Sequence, residues 1–200
     1  MLIIFEDRLS DSPVIERVWR SHSETAGTFH SMASCTWGMV VTRHEGKTFL
    51  TVRSPETMAT VTDCPADGEW IGIQFKLGTF MPILPTSSLR NRNDVTLPGL
   101  SSRTFCLNGY RWEYPSFENV VQQPVKRGLI AKDSGVETAQ VDCRRKHSLR
   151  TEQRHFLRVT GMTQTTVRQI ERARRATYLL KHGASILQVV YDLGYYDQAH

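Results

Sequence analysis

Apolar and polar residues alternate through much of the first half of the chain, and the period lengthens to that of a helix in the last third. Alternation over Pro13-Val14-Ile15-Glu16-Arg17-Val18-Trp19-Arg20, over residues 37–43 and over residues 48–53 predicts strands with one face turned inward. His44-Glu45-Gly46-Lys47 between the last two fits a hairpin loop. Further strands are expected at Met58 to Thr62 and Trp70 to Lys76, and short strands separated by turn signals imply a sandwich or small barrel. Residues 77–85 are apolar but broken by Gly78, Pro82 and Pro85, the pattern of a loop lining a core. The alternative is one wall of an effector pocket, with Trp37, Phe75, Phe80 and Met81 supplying apolar surface. Residues 85–112 read as loop with short strands. A short helix is expected at Phe117 to Val121, capped by Ser116 and interrupted by Pro124. Lys132-Asp133-Ser134-Gly135 is polar and turn-forming, which places a linker at 126–135.

Beyond the linker the signals are helical. Val136 to Lys146 forms a weakly periodic first helix. Ser148 can cap a second, in which Leu149, Phe156, Leu157, Val159 and Thr160 supply the apolar face and Gly161 the stop. Arg150, Gln153, Arg154 and Arg158 gather on its other faces, and Arg and Gln are the side chains best able to pair with guanine and adenine edges in a major groove. Thr163 caps a long helix to Lys181, with Val167, Ile170, Ala173, Thr177 and Leu180 at helical spacing and Gly183 ending it. Ser185 then caps Ile186 to Leu193, Gly194-Tyr195 turns the chain, and Asp197 caps a helix beginning Gln198-Ala199-His200.

Charge sharpens this division. Residues 126–200 carry 14 Lys and Arg against 7 Asp and Glu, whereas residues 1–125 carry 11 against 13. The basic half is therefore the helical half, which suits phosphate neutralisation and counterion release. With 40% hydrophobic and 22% charged residues the chain has an ordinary globular composition, and no apolar run is long enough to cross a bilayer. The acidic, short apolar start excludes a signal peptide, so a cytoplasmic protein without membrane association is expected. Cys35, Cys64, Cys106 and Cys143 are scattered without metal-ligand spacing, and reduced thiols are the default.

In their order and spacing, Ser148, Arg154, Phe156 and Thr160-Gly161-Met162-Thr163, then Arg172, Ala176 and Leu179-Leu180, then Ser185-Ile186 and Val189, then Asp192, Gly194-Tyr195 and Asp197-Gln198-x-His200 resemble the DNA-binding domain of AraC/XylS-type transcriptional regulators. The resemblance covers roughly residues 135–200. It implies an α+β chain: a β-rich, cupin-like or sandwich domain at 1–125 for effector sensing or dimerisation, a linker at 126–135, and an all-α double helix-turn-helix domain at 136–200 joined by one long helix. It further implies a non-catalytic regulator, with double-stranded operator DNA, RNA polymerase, a second copy of the chain and a small-molecule effector as partners, and no cofactor. By matching position, Arg150, Gln153 and Arg154 would meet base edges, Thr151 and Arg158 phosphates, and Gln198 and His200 would begin the second reading face. An 18-residue joining helix spans about 27 Å, against about 34 Å between successive major-groove faces on one side of a duplex.

Two features depart from the family pattern. Glu152 occupies a position usually apolar and packed, so it must reach solvent or a cation such as Arg172 or Arg174. The second reading helix is cut after His200, which leads us to expect an incomplete second unit. Two rivals follow. One is a cupin-like metal-dependent enzyme, disfavoured because His22, His30 and His44 lie eight and fourteen residues apart with no His-x-His. The other is a ligand-binding or dimerisation fragment that no longer binds DNA.

Overall fold

A computed structural model describes residues 3–82, 95–97, 99–101, 104–107, 110–113, 128, 130–133, 135–136 and 148–196. Within these the chain is α+β, with a sheet-rich N-terminal region and three helices towards the C-terminus. The expected helix at 117–121, all but Val136 of the one expected at 136–146, and the residues Asp197, Gln198 and His200 lie outside the described residues.

The largest sheet is antiparallel and six-stranded. Its order is β1 (Ile3–Leu9), β2 (Ile15–Ser23), β7 (Gly68–Phe75), β4 (Gly38–His44), β5 (Lys47–Arg53) and β9 (Val95–Leu97). The expected hairpin joins β4 to β5 with His44 opposite Lys47, and Glu45 and Gly46 both take positive φ, as a two-residue turn matching strand twist requires. β3 (Gly27–Ser31) pairs with β6 (Thr60–Cys64), and β8 (Thr79–Phe80) with β13 (Ala131–Lys132). A third small sheet orders β10 (Gly99–Ser101), β11 (Thr104–Leu107) and β12 (Tyr110–Glu113).

The side-chain period of two decides the first core. From one face of the large sheet Met39, Val41, Leu50, Val52, Ile73 and Phe75 converge with Trp37, Met81 and Ile130. Trp37 stacks on Phe75 with ring centroids 4.0 Å apart, and its indole N–H donates to the Thr79 carbonyl at 2.7 Å. Burying an indole costs little once its one donor is satisfied.

The linker expected at 126–135 is, over its described part, built into this fold rather than strung across solvent. Ile130 sits in the core, Ala131 and Lys132 add a strand to β8, and the Asp133 N–H donates to the Gly78 carbonyl at 2.9 Å. Gly78 has a φ of 83°, and a Cβ there would stand 3.0 Å from the Asp133 carbonyl oxygen, so the crossing needs glycine twice over.

The helices are α1 (Leu149–Thr160), α2 (Gln164–Lys181) and α3 (Ile186–Leu193), each capped as the sequence predicts. Ser148, Thr163 and Ser185 accept from the N–H three residues on, while Gly161 and Gly194 close α1 and α3 in the left-handed region. α1 buries Phe156, Val159 and Thr160, but Leu149 and Leu157, expected on the buried face, are exposed. The true stripe runs along i, i+3 and i+4 from Phe156; Leu157 falls beside it, while Leu149 shares its face but sits two turns earlier, at the first residue of the helix, ahead of the packed residues. On α2 burial is confined to Val167 and Ile170, while Leu180 is exposed.

A second core joins the two regions. Val136, Phe156, Val159, Met162, Val167 and Ile170 cluster with Cys35 from the sheet region, and Ala33, Leu77 and Phe80 pack against them. The helical part thus completes its core with residues more than fifty positions upstream.

Candidate functional site

α1 is positioned by both ends and by its underside. The Ser148 hydroxyl accepts from the Thr151 N–H and also bonds the Thr151 hydroxyl at 2.9 Å, so Thr151 is drawn into the cap. At the other end the Thr160 hydroxyl donates to the Phe156 carbonyl at 2.8 Å, and the Gly161 N–H donates to the Leu157 carbonyl. With Phe156 and Val159 locked beneath, Arg150 and Arg154 stand exposed towards the far side and Gln153 exposed on the flank. Among the described residues they have no hydrogen-bond or ion-pair partner, so their guanidinium and amide groups are open to an outside ligand. Glu152 is half-buried.

Arg158 is exposed and bonded along its own helix. Its guanidinium lies 3.1 Å from His155 Nδ1, and His155 Nε2 lies 2.8 Å from Asp133 Oδ2. A neutral imidazole with its proton on Nε2 satisfies both contacts, accepting from Arg158 and donating to Asp133. The second oxygen of Asp133 accepts from the Gly135 N–H at 2.9 Å. His155 thus ties α1 to Asp133 of the linker, with Arg158 on its other ring nitrogen.

The arginines of α2 also find specific partners. Arg172 donates to the Gly194 carbonyl at 3.4 Å and lies 4.4 Å from the centre of the Tyr195 ring, tying α2 to the turn after α3. Arg175 lies over Tyr178 at 5.5 Å. Arg174 and Glu171 stand near Cys35, whose thiol is pushed up to about 11 by burial first and by Glu171 second, with Arg174 opposing.

The cavity lies elsewhere than the sequence placed it. Trp37, Phe75 and Met81 are consumed by the first core, and Phe80 packs on the second; none of the four lines the cavity. Instead a cleft of about 570 Å³ opens on the opposite face of the large sheet, lined also by residues of the β3–β6 strand pair. Its apolar wall includes Phe5, Trp19, Phe29, Val40 and Trp70, and its polar wall Ser34, Thr36, Arg53, Glu56 and Gln74, with Lys181 of α2 also reaching it. The indole of Trp19 lies over Gly72, where any Cβ would collide with it, and Phe5 stacks on the same indole at 5.7 Å. Such a volume and mixture suit a small ring compound that stacks on indole and bonds hydroxyl and amide groups.

The polar wall is already organised. Gln74 Nε2 donates to Ser34 Oγ, to Thr36 Oγ1 and to the Thr36 carbonyl, while Arg53 and Glu56 share the Ser31 hydroxyl, at 3.4 and 3.0 Å. Sequence reading missed these residues because they belong to the polar half of alternating strands, which looks the same whether it faces water or a cleft. Gly72 in mid-strand was the available signal, since a glycine there marks close approach by another group. Among the described residues no three His, Cys, Asp or Glu side chains stand close enough to share a metal ion.

No family model, curated protein or solved structure matches this chain.

Proposed function

We propose that this chain is a sequence-specific DNA-binding transcriptional regulator of the AraC/XylS type, with a cupin-like or sandwich sensing region and a double helix-turn-helix in which α1 is the first reading helix. The observation that carries it is the disposition of α1. A helix pinned at both ends and along one side holds Arg150, Gln153 and Arg154 outward together, on the basic part of the chain. Rigid support matters because paired contacts to base edges need side chains presented in a fixed register. Thr151 at the cap remains within reach of a phosphate that approaches the helix N-terminus. α2 would set the distance to the second unit, and Arg172 would keep α2 and α3 in one arrangement.

Under this reading the cleft lined by the β3–β6 strand pair is the effector site, a second copy of the chain is the regulatory partner, RNA polymerase is the downstream one, and the reaction is binding rather than catalysis. The test is anisotropy of labelled duplex DNA titrated with the full chain at several salt concentrations. Binding should weaken steeply with salt, and the Arg150→Ala/Arg154→Ala chain should show a slope reduced by no more than about 2 and a loss of preference between sequences. A chain that binds all duplexes equally, and is unaffected by the double substitution, would overturn the proposal.

A further inference from the structure

Residues 32–36 form the partition between the cleft and the helices, and their side chains alternate across it. Met32, Ser34 and Thr36 line the cleft, while Ala33 and Cys35 pack into the core that holds Phe156, Val159, Val167 and Ile170. A short segment whose successive side chains are held on opposite sides cannot shift on one side without shifting on the other. The segment is gripped from the cleft side by Gln74, which bonds Ser34 and Thr36, and along its edge by paired Ser34 and Glu56 backbone bonds, both 2.9 Å. On the helical side Cys35 is buried beside α2, and Lys181 at the end of the same helix reaches the cleft.

We propose that residues 32–36 are the transmission element of this protein: a ligand that competes for the Gln74 amide releases Ser34 and Thr36, moves Ala33 and Cys35 in the second core, and loosens α1 on its seat. This rests on the reading of the cleft as a ligand site, and it adds the route by which occupancy reaches the reading helix. The Gln74 part of the grip is breakable because it is made by one side-chain amide, whose bonds a ligand amide or hydroxyl replaces without leaving a buried group unpaired, while the Ser34–Glu56 backbone pair stays as the pivot. The far side responds because close-packed cores transmit small displacements rather than absorb them.

The test is hydrogen exchange on the full chain without DNA, so that failure of the coupling and failure of DNA reading are told apart. Gln74→Leu removes the grip, and Ser21→Leu alters the cleft wall on β2, away from the partition. We expect exchange of the Phe156 to Ile170 amides to rise roughly tenfold in Gln74→Leu, as for loss of one or two hydrogen bonds, with no change in Ser21→Leu and with β4 and β5 protected in both. Unchanged helical exchange in Gln74→Leu, or an equal rise in Ser21→Leu, overturns the proposal. Should Gln74→Leu also expose β4 and β5, Ser34→Ala decides, because it removes the bond from Gln74 to Ser34 and the hydroxyl's own contacts with Thr36 while leaving Gln74 in β7 intact. A rise of roughly threefold confined to α1 and α2 supports the route, and none refutes it.

Discussion

Replacing Phe156 by alanine tests whether the helices and the sheet share one core. Phe156 is only 1% exposed and sits among Val159, Met162, Val167 and Ile170, with Cys35 in the same cluster and Leu77 and Phe80 packed against it. Truncating a phenylalanine so enclosed costs about 3–5 kcal/mol, a large share of the roughly 5–15 kcal/mol that holds a domain folded. With a urea slope of about 2 kcal/mol per molar, the unfolding midpoint should fall by about 1.5–2.5 M. The chain supplies two separate reporters. Its four tryptophans, Trp19, Trp37, Trp70 and Trp112, all precede the helices, so fluorescence follows the sheet region, while helical circular dichroism follows α1 to α3. If the second core is common to both, Phe156→Ala lowers both midpoints together, although no tryptophan lies near the mutation in sequence. A fluorescence midpoint that stays at the wild-type value while the helical signal melts early would refute the shared core.

Four further outcomes are expected. Gly161→Ala should destabilise by about 1–2 kcal/mol in the same melts, because Gly161 has a φ of 75° and a side chain there is strained. Ser148→Ala should cost about 1 kcal/mol through loss of the α1 cap, and Ser148→Asp should restore most of it. Gly72→Ala should displace the Trp19 indole, visible as a shift in tryptophan emission, and should weaken any ring compound found to bind in the cleft. The Cys35 thiol, raised in the folded chain from 9.0 to about 11, gives a pH effect of defined sign. The unfolded chain loses this proton first, so stability falls as pH rises from about 9 to 11; Cys35→Ala should flatten that part of the stability curve. A wild-type chain whose stability is level across the window, or a variant with the same slope, would contradict the burial argument.

The helices were the most legible part of the sequence because their limits are written in local chemistry. Ser148, Thr163 and Ser185 are caps, Gly161 and Gly194 are stops, and the structure uses each as such. The central strands were legible for a related reason: Gly38–His44 and Lys47–Arg53 alternate cleanly and are joined by a turn whose residues tolerate positive φ. β1 and β3 went unseen. Residues 3–5, Ile-Ile-Phe, do not alternate, and β3 is short, with a half-exposed pattern that follows no core.

What the sequence could not supply was the pairing of distant faces. Trp37 and Phe75 were correctly read as apolar and neighbouring, yet hydrophobicity alone does not say whether such a pair fills a core or lines a cleft. The strand register decides it, sending Met39, Val41 and Phe75 to one side and Val40, Thr42 and Gln74 to the other. The second core was hidden for the same reason, since Cys35 meets α1 and α2 only after the linker has folded back along β8. The tie from α1 to the linker was hidden likewise, because His155 meets Asp133 across 22 positions, a contact that no local pattern announces.

The central claim is that α1 reads bases, and the most direct measurement of it is selection of binding sites from a pool of random duplexes by the full chain and by its Arg150→Ala/Arg154→Ala variant. The account predicts that the wild-type chain enriches one short motif with guanine or adenine at fixed positions, and that the variant loses the preference at those positions first. Enrichment of the same motif by both chains, or of none by either, would contradict it.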